Sequence, residues 1–215
     1  MPKYKVIGFD CDGTLLDTFK LIEQTVILTF KEMLPDYDIS IEEVHAFFGP
    51  FLDDSFSKYV NTKEEVAACV EKYRQINNKL MPEYIRTYDG IKELLEYLKK
   101  NDYKIAIVSN KVSPAIIYGL ELCQIESYID LIIGAEMIIP KPNPDGINQV
   151  RKHFNVKDLI YIGDVKTDIE TGKNANVQTV GVTWCKTTKE ELENAGATFV
   201  IDHPLELIKI LEEQK

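Results

Sequence analysis

The chain is poor in the residues that bind soft metals or build disulfides. Its three histidines, His45, His153 and His203, are scattered. Its four cysteines, Cys11, Cys69, Cys123 and Cys185, form no C-x-x-C pair and have no histidine near them at ligand spacing. Neither a structural zinc site nor a disulfide framework is expected. Free thiols suit a reducing compartment, and Cys11 reads as a packing residue. Basic residues are in deficit, 25 Lys and Arg against 35 Asp and Glu, for a net charge of −10. That balance offers no electrostatic footprint for nucleic acid or for an anionic membrane. No apolar segment approaches the length of a membrane span, and the opening MPKYKVIGFD has no apolar leader. A cytoplasmic protein is expected. Internal repeats, low-complexity tracts and a G-x-x-x-x-G-K-[ST] phosphate loop are all absent.

What remains is a chain of 215 residues, 45% hydrophobic, enough for one large domain or for one domain carrying an insert. The first apolar run, Tyr4 to Phe9, is short and stops at Asp-Cys-Asp-Gly. From Asp17 the period changes. Phe19, Ile22, Val26, Phe30 and Met33 recur at three and four, as on an amphipathic helix. Ser40 with Glu43 makes a capping box for a second helix. Two more helical stretches, Leu52 to Tyr59 and Lys63 to Leu80, complete an all-helical region. After Pro82 strands and helices alternate: a helix with Asp89 as N-cap, the strand KIAIVSN, a helix opened by Pro114, and then DLIIGAE, LIYIGD, QTVGVTW and TFVID with helices between. Ile- and Val-rich strands that each precede a helix mean parallel βαβ units. The expected fold is a doubly wound parallel α/β sheet, residues 1–16 and 82–215, with a small all-helical cap, 17–81, inserted after the first strand.

Ligands of open parallel sheets lie outside the carboxyl ends of the strands. The first strand brings Asp10 and Asp12 there, KIAIVSN brings Ser109 and Asn110, and LIYIGD brings Asp164 with Asp168 one turn further on. The loop IIPKPNPDG adds Lys141. Each has an ordinary structural reading as a turn, cap or solvated charge. Those readings would all have to hold together, at the strand ends of one sheet. Clustered carboxylates repel unless a cation sits among them. An all-oxygen set suits Mg²⁺, which also binds substrate phosphate. Ser109, Lys141 and the backbone N–H groups after Asp10 can hold phosphate oxygens. A carboxylate can itself serve as a nucleophile and form an aspartyl phosphate.

FDCDGTL, VSN, KPNPDG and GDVKTD resemble, in order and spacing, the four motifs of the haloacid dehalogenase superfamily. The resemblance spans essentially the whole chain, and the first and last motifs are specific. It implies Asp10 as nucleophile and Asp12 as general acid, then base. It implies Thr14 as support for the first loop, and Thr14, Ser109, Asn110 and Lys141 around the phosphate. Mg²⁺ would be held by Asp10, the backbone carbonyl of Asp12 and Asp164, with Asp168 supporting. Superfamily dehalogenases lack a carboxylate at the Asp12 position, because halide leaves without a proton, so Asp12 points to phosphoryl transfer. FFGPFLDDSF, KYRQIN, VTW and FVIDHPLEL are similar to phosphoglycolate phosphatases and to bacterial PpaX-type pyrophosphatases alike. The expected function is Mg²⁺-dependent hydrolysis of a small phosphorylated metabolite. The alternatives are pyrophosphate hydrolysis, a sugar-phosphate mutase (which usually has a valine-like residue at the Thr14 position) and, in another class, a non-catalytic phosphoryl-receiving module. Gly49, Lys58, Tyr73 and Arg74 are candidate specificity residues in the cap. The sequence leaves substrate and oligomeric state open.

Overall fold

A computed structural model describes residues 4–213. In chain order the elements are β1 (Val6–Phe9), β2 (Leu16–Asp17), α1 (Phe19–Met33), α2 (Ile41–His45), α3 (Leu52–Phe56), α4 (Lys63–Tyr84), β3 (Arg86–Thr87), α5 (Ile91–Lys100), β4 (Lys104–Val108) and α6 (Ser113–Leu122). They continue with β5 (Leu131–Ile133), α7 (Asp145–Phe154), β6 (Ile160–Gly163), α8 (Lys166–Asn174), β7 (Gln178–Val182), α9 (Lys189–Ala195), β8 (Phe199–Ile201) and α10 (Glu206–Glu213). The described chain divides into two compact units, one of residues 4–17 and 86–213, the other of residues 18–85.

The first unit carries a six-stranded parallel sheet in the order β5-β4-β1-β6-β7-β8, flanked by helices. Its strands are apolar at nearly every position and largely buried, as expected of strands covered on both faces. On one face Val6, Ala106, Val108 and Tyr161 pack with Ile147 and Val150 of α7. The strand order reverses direction at β1, with β4 on one side and β6 on the other. Such a reversal opens a crevice at the carboxyl ends of the central strands. Asp10 N–H donates to the Ile162 carbonyl at 2.8 Å and so extends the β1–β6 ladder into the motif itself.

The second unit is all helical. Ile22, Val26 and Phe30 of α1 pack with Val44, Phe47, Phe56, Cys69, Val70 and Tyr73. Phe30 is almost fully buried and meets the rings of Phe47, Phe56 and Tyr59. Asn77 on α4 donates to Thr25 Oγ1 on α1 at 3.3 Å, a polar tie inside this apolar core. The Ser40–Glu43 capping box forms as read from the sequence, and Thr62–Glu65 makes another at the start of α4.

Two local expectations are corrected. Helix α4 does not stop at Leu80 but runs through Pro82 to Tyr84. Proline forfeits the hydrogen bond of its own nitrogen, but the chain stays helical beyond it, and Ile85 N–H reaches the Met81 carbonyl at 2.9 Å. Asp89 is not the N-cap of α5; Gly90 is, in a left-handed conformation (φ +80) that glycine adopts without strain. Leu16–Asp17 and Arg86–Thr87 also form an antiparallel pair, too short for a sequence pattern to reveal. Among the described residues no helix is long and apolar enough to cross a membrane.

Truncating Phe30 to Ala should destabilise the helical unit by roughly 3–5 kcal/mol, the usual loss for a buried aromatic ring. Chemical denaturation of wild type and variant checks this. A shift under about 1 kcal/mol would mean that the ring cluster does not hold that unit together.

Candidate active site

The site is assembled from three neighbouring strand ends and one loop. Asp10 and Asp12 follow β1, Ser109 and Asn110 follow β4, Asp164 follows β6, and Lys141 lies on the segment leading to α7. Asp168 sits in the first turn of α8. Asp10, Asp164 and Asp168 are all buried, and each offers an oxygen within 4.8 Å of the others. Lys141 Nζ donates to Asp10 Oδ1 and to Asp168 Oδ1, both at 2.7 Å. Two of the three carboxylates thus share one ammonium, and Asp164 lies beside them. The sequence expectation brought these four residues to one rim; in the structure Lys141 bonds Asp10 and Asp168, and Asp164 has an oxygen within 4.8 Å of theirs.

Burial is the main force on the acids. It pushes the Asp10 carboxyl up to about 6; Lys141 opposes the rise, while Asp168 and Asp12 add to it. Asp164 is raised well above the carboxylate range, first by burial and then by Asp168 and Asp10. Burial alone would lower the Lys141 ammonium, but Asp10 and Asp168 outweigh it and hold the group well above its ordinary value. The Tyr161 ring lies 5.7 Å from Lys141 Nζ, and its hydroxyl donates to the Val108 carbonyl at 2.8 Å. Gly8 on β1 makes room for that ring, since a Cβ there would sit 3.1 Å from Tyr161 Cδ2.

Other predicted residues turn out to hold the acids in place. Thr14 is fully buried, and its hydroxyl donates to Asp164 Oδ1 at 3.0 Å. Asn110 Oδ1 accepts the backbone N–H of Lys141 at 3.2 Å and so fixes the loop that carries the ammonium. Ser109 is buried, and its Oγ accepts from Lys111 N–H at 3.3 Å. Asp168 Oδ2 accepts from Val165 N–H at 3.2 Å, which ties the first turn of α8 to the loop before it. Gly13 has φ +76, and a Cβ on it would lie 2.2 Å from Asp164 Oδ2; no other residue fits. Cys11 is buried, as read from the sequence.

Lys111, Trp184 and Cys185 escaped the sequence reading. Lys111 Nζ donates to both oxygens of Asp12, at 2.9 and 3.2 Å. Trp184 Nε1 donates to the Thr14 carbonyl at 3.1 Å. Cys185 hydrogen-bonds Asp164, and burial with Asp164 alongside pushes its thiol up to about 12. The strand-end rule applied to β7 would have pointed to Trp184 and Cys185. Lys111 looks like any loop lysine until β4 is placed beside β1.

Three buried carboxylates with one ammonium among them leave a surplus of negative charge on oxygen, the chemistry of a hard-cation site. The haloacid dehalogenase-like hydrolase family model matches residues 7–182, and the chain belongs to that family. It is therefore a hydrolase, which sets the receiver-module alternative aside. It is 34% identical to a pyrophosphatase PpaX of Listeria monocytogenes over 218 residues, 99% of each chain. Among solved structures it resembles a haloacid dehalogenase-like hydrolase from Streptococcus pneumoniae, with TM-score 0.85, 26% identity and coverage of 96% of this chain and 98% of that one. It also resembles a predicted phosphatase from Clostridium acetobutylicum, with TM-score 0.83, 30% identity and coverage of 98% and 99%.

The raised Asp164 carboxyl gives a pH signature. A carboxyl raised in the folded state binds its proton more tightly there than in the unfolded chain. Its contribution to stability is therefore present in acid and lost as the pH rises through and beyond the normal carboxylate value. Asp164→Asn keeps an acceptor for Thr14 and removes the charge. In EDTA the variant should be more stable than wild type at about pH 8, on the order of 1–4 kcal/mol, with the two converging towards about pH 4. Thermal unfolding at both pH values checks this, and a variant less stable at the higher pH would contradict it.

Proposed function

We propose that the chain is a Mg²⁺-dependent phosphatase that hydrolyses small phosphorylated metabolites through a phosphoaspartate on Asp10. The observation that carries the reading is the contact of Lys141 with both Asp10 and Asp168 beside Asp164. It supplies a carboxylate nucleophile, a cation to hold it in its charged form, and oxygens for a divalent ion.

Asp10 would attack phosphorus, forming an acyl phosphate as the bond to the leaving oxygen breaks. Asp12 would give that oxygen a proton. A water would then attack the phosphoaspartate and pass a proton to Asp12, releasing phosphate and restoring Asp10. Ser109 and the backbone N–H groups after Asp10 would hold the phosphoryl oxygens, and Lys141 would balance their charge. Asp10, Asp164 and the carbonyl of Asp12 would hold Mg²⁺, with Asp168 supporting. When bound, the ion draws negative charge off the phosphoryl group. In this reading Thr14 orients Asp164 and Asn110 positions Lys141, so both act through other residues rather than on the phosphate.

A second reading, hydrolysis of inorganic pyrophosphate, is favoured by the 34% identical relative that is a pyrophosphatase. The panel that separates the readings is pyrophosphate, 2-phosphoglycolate and hexose phosphates assayed with Mg²⁺ and compared by kcat/KM.

Asp10→Asn should be inactive on every phosphate ester. Residual turnover at a tenth of wild type, a barrier change of only about 1.4 kcal/mol, would remove Asp10 from the nucleophile's role. Asp12→Asn should fail in a different way. An aryl phosphate has a leaving group that departs as an anion, so transfer to Asp10 should survive in part. Hydrolysis of the phosphoaspartate, which needs a base, should slow by roughly 10²–10⁴. The variant should release a burst of phenol near one equivalent per site, and intact-protein mass spectrometry should show one added phosphoryl group. Near wild-type turnover of alkyl and aryl phosphates by this variant would overturn the assignment of Asp12.

A further inference from the structure

We infer that Lys111 is a specificity-determining residue: its ammonium selects substrates whose leaving group carries its own negative charge close to the scissile oxygen. The inference rests on the phosphatase reading above and assigns a role to a residue that the four sequence motifs leave out.

The two lysines of the site divide the work. Lys141 is enclosed between Asp10 and Asp168, with a side chain 4% exposed. It belongs to the nucleophile. Lys111 sits on the other carboxylate, gripping both oxygens of Asp12, with a side chain 11% exposed against 25% for Asp12. In the proposed mechanism Asp12 is the group that faces the leaving oxygen. An ammonium in contact with both oxygens of Asp12 is therefore within reach of whatever the leaving oxygen is attached to. An ammonium has three N–H donors. Two reach the oxygens of Asp12, and the third would be given to an anion on the leaving group.

The pairing makes a neutral leaving group a poor fit. Such a group offers the ammonium no second anion, so Lys111 stays on both oxygens of the carboxylate that must reach the leaving oxygen. An anionic leaving group changes the geometry. Its charge gives Lys111 a second partner and draws the ammonium from one oxygen of Asp12, which is then free to turn to the leaving oxygen. A carboxylate one carbon from the ester oxygen meets this requirement, as in 2-phosphoglycolate. The second phosphoryl group of pyrophosphate meets it too. During transfer the new bond joins phosphorus to Asp10, the electron pair of the breaking P–O bond goes to the leaving oxygen, and the freed oxygen of protonated Asp12 gives that oxygen its proton. Lys111 keeps all its protons and contributes charge and a hydrogen bond only.

The test compares wild type, Lys111→Met and Lys111→Arg, all with Mg²⁺, on 2-phosphoglycolate, pyrophosphate, ethyl phosphate and p-nitrophenyl phosphate. Ethyl phosphate is the neutral counterpart of phosphoglycolate. Wild type should prefer at least one anionic leaving group over ethyl phosphate in kcat/KM. In Lys111→Met that preference should fall roughly 10- to 100-fold, the loss of one hydrogen bond to a charged group. Lys111→Arg keeps the charge and should recover part of the preference. A fall confined to phosphoglycolate identifies a carboxylate partner, and one confined to pyrophosphate identifies a phosphoryl partner; either supports the inference. A variant that loses kcat/KM equally on all substrates overturns it, because Lys111 then serves only to position Asp12. Wild type that treats ethyl phosphate as well as both anionic substrates also overturns it, and this holds even if Lys111→Met does not fold. Wild type that hydrolyses none of the four removes the phosphatase reading and the inference with it.

Discussion

Three buried carboxylates cluster around one buried ammonium that reaches only two of them, and most of the local structure follows from that imbalance. Asp10, Asp164 and Asp168 would each prefer water. Lys141 touches two of them, and the third is held by a threonine hydroxyl and a cysteine thiol. The arrangement is unfavourable for an empty protein and favourable for one that takes in a cation. The site thus draws on stability that the rest of the α/β unit has to supply, a common relation between active sites and the folds that hold them.

The sheet supplies what this requires. Its strands are apolar at nearly every position, so helices cover the sheet and leave the polar strand ends as the place where charge collects. The reversal of strand order at β1 puts the ends of β1, β4 and β6 side by side. Small residues then set the spacing. Gly13 lets its loop pass against Asp164, and Gly163 lets the end of β6 pass against Asp168, where an added Cβ would lie 2.3 Å from the aspartate's own Cβ. The hydrogen bonds from Thr14 and to Asn110 hold the acids and the lysine in register, so that little adjustment is needed when a ligand arrives.

Much of this was legible in the sequence because the signals were periodic or positional. The strand runs, the Ser40–Glu43 box and the carboxylates at strand ends all follow from local rules. What was missed depended on tertiary placement. Lys111 follows Ser109 and Asn110 directly, yet nothing in the sequence says that its side chain turns back towards Asp12 across a gap of 99 residues. Pro82 misled because a proline costs a helix one hydrogen bond at its own nitrogen without forcing the residues after it out of helical conformation, and here the chain stays helical to Tyr84. Asp89 misled because an aspartate beside a glycine is an ordinary N-cap candidate, while the backbone chose the glycine for its left-handed conformation. Asn110 and Thr14 were placed at the right rim, but their hydrogen bonds go to the loop of Lys141 and to Asp164, a distinction that only atomic positions can draw.

The bonds that make the site join residues far apart in the chain: 131 positions separate Lys141 from Asp10, and 150 separate Thr14 from Asp164. A growing polypeptide therefore carries Asp10 before anything that neutralises or orients it, and until those residues follow, Asp10 is an ordinary solvated acid. Its chemical character arrives only when Lys141, Asp164 and Asp168 have been made and the sixth strand has docked. The buried, raised carboxyl is thus a property of the assembled sheet and of no shorter stretch of the chain.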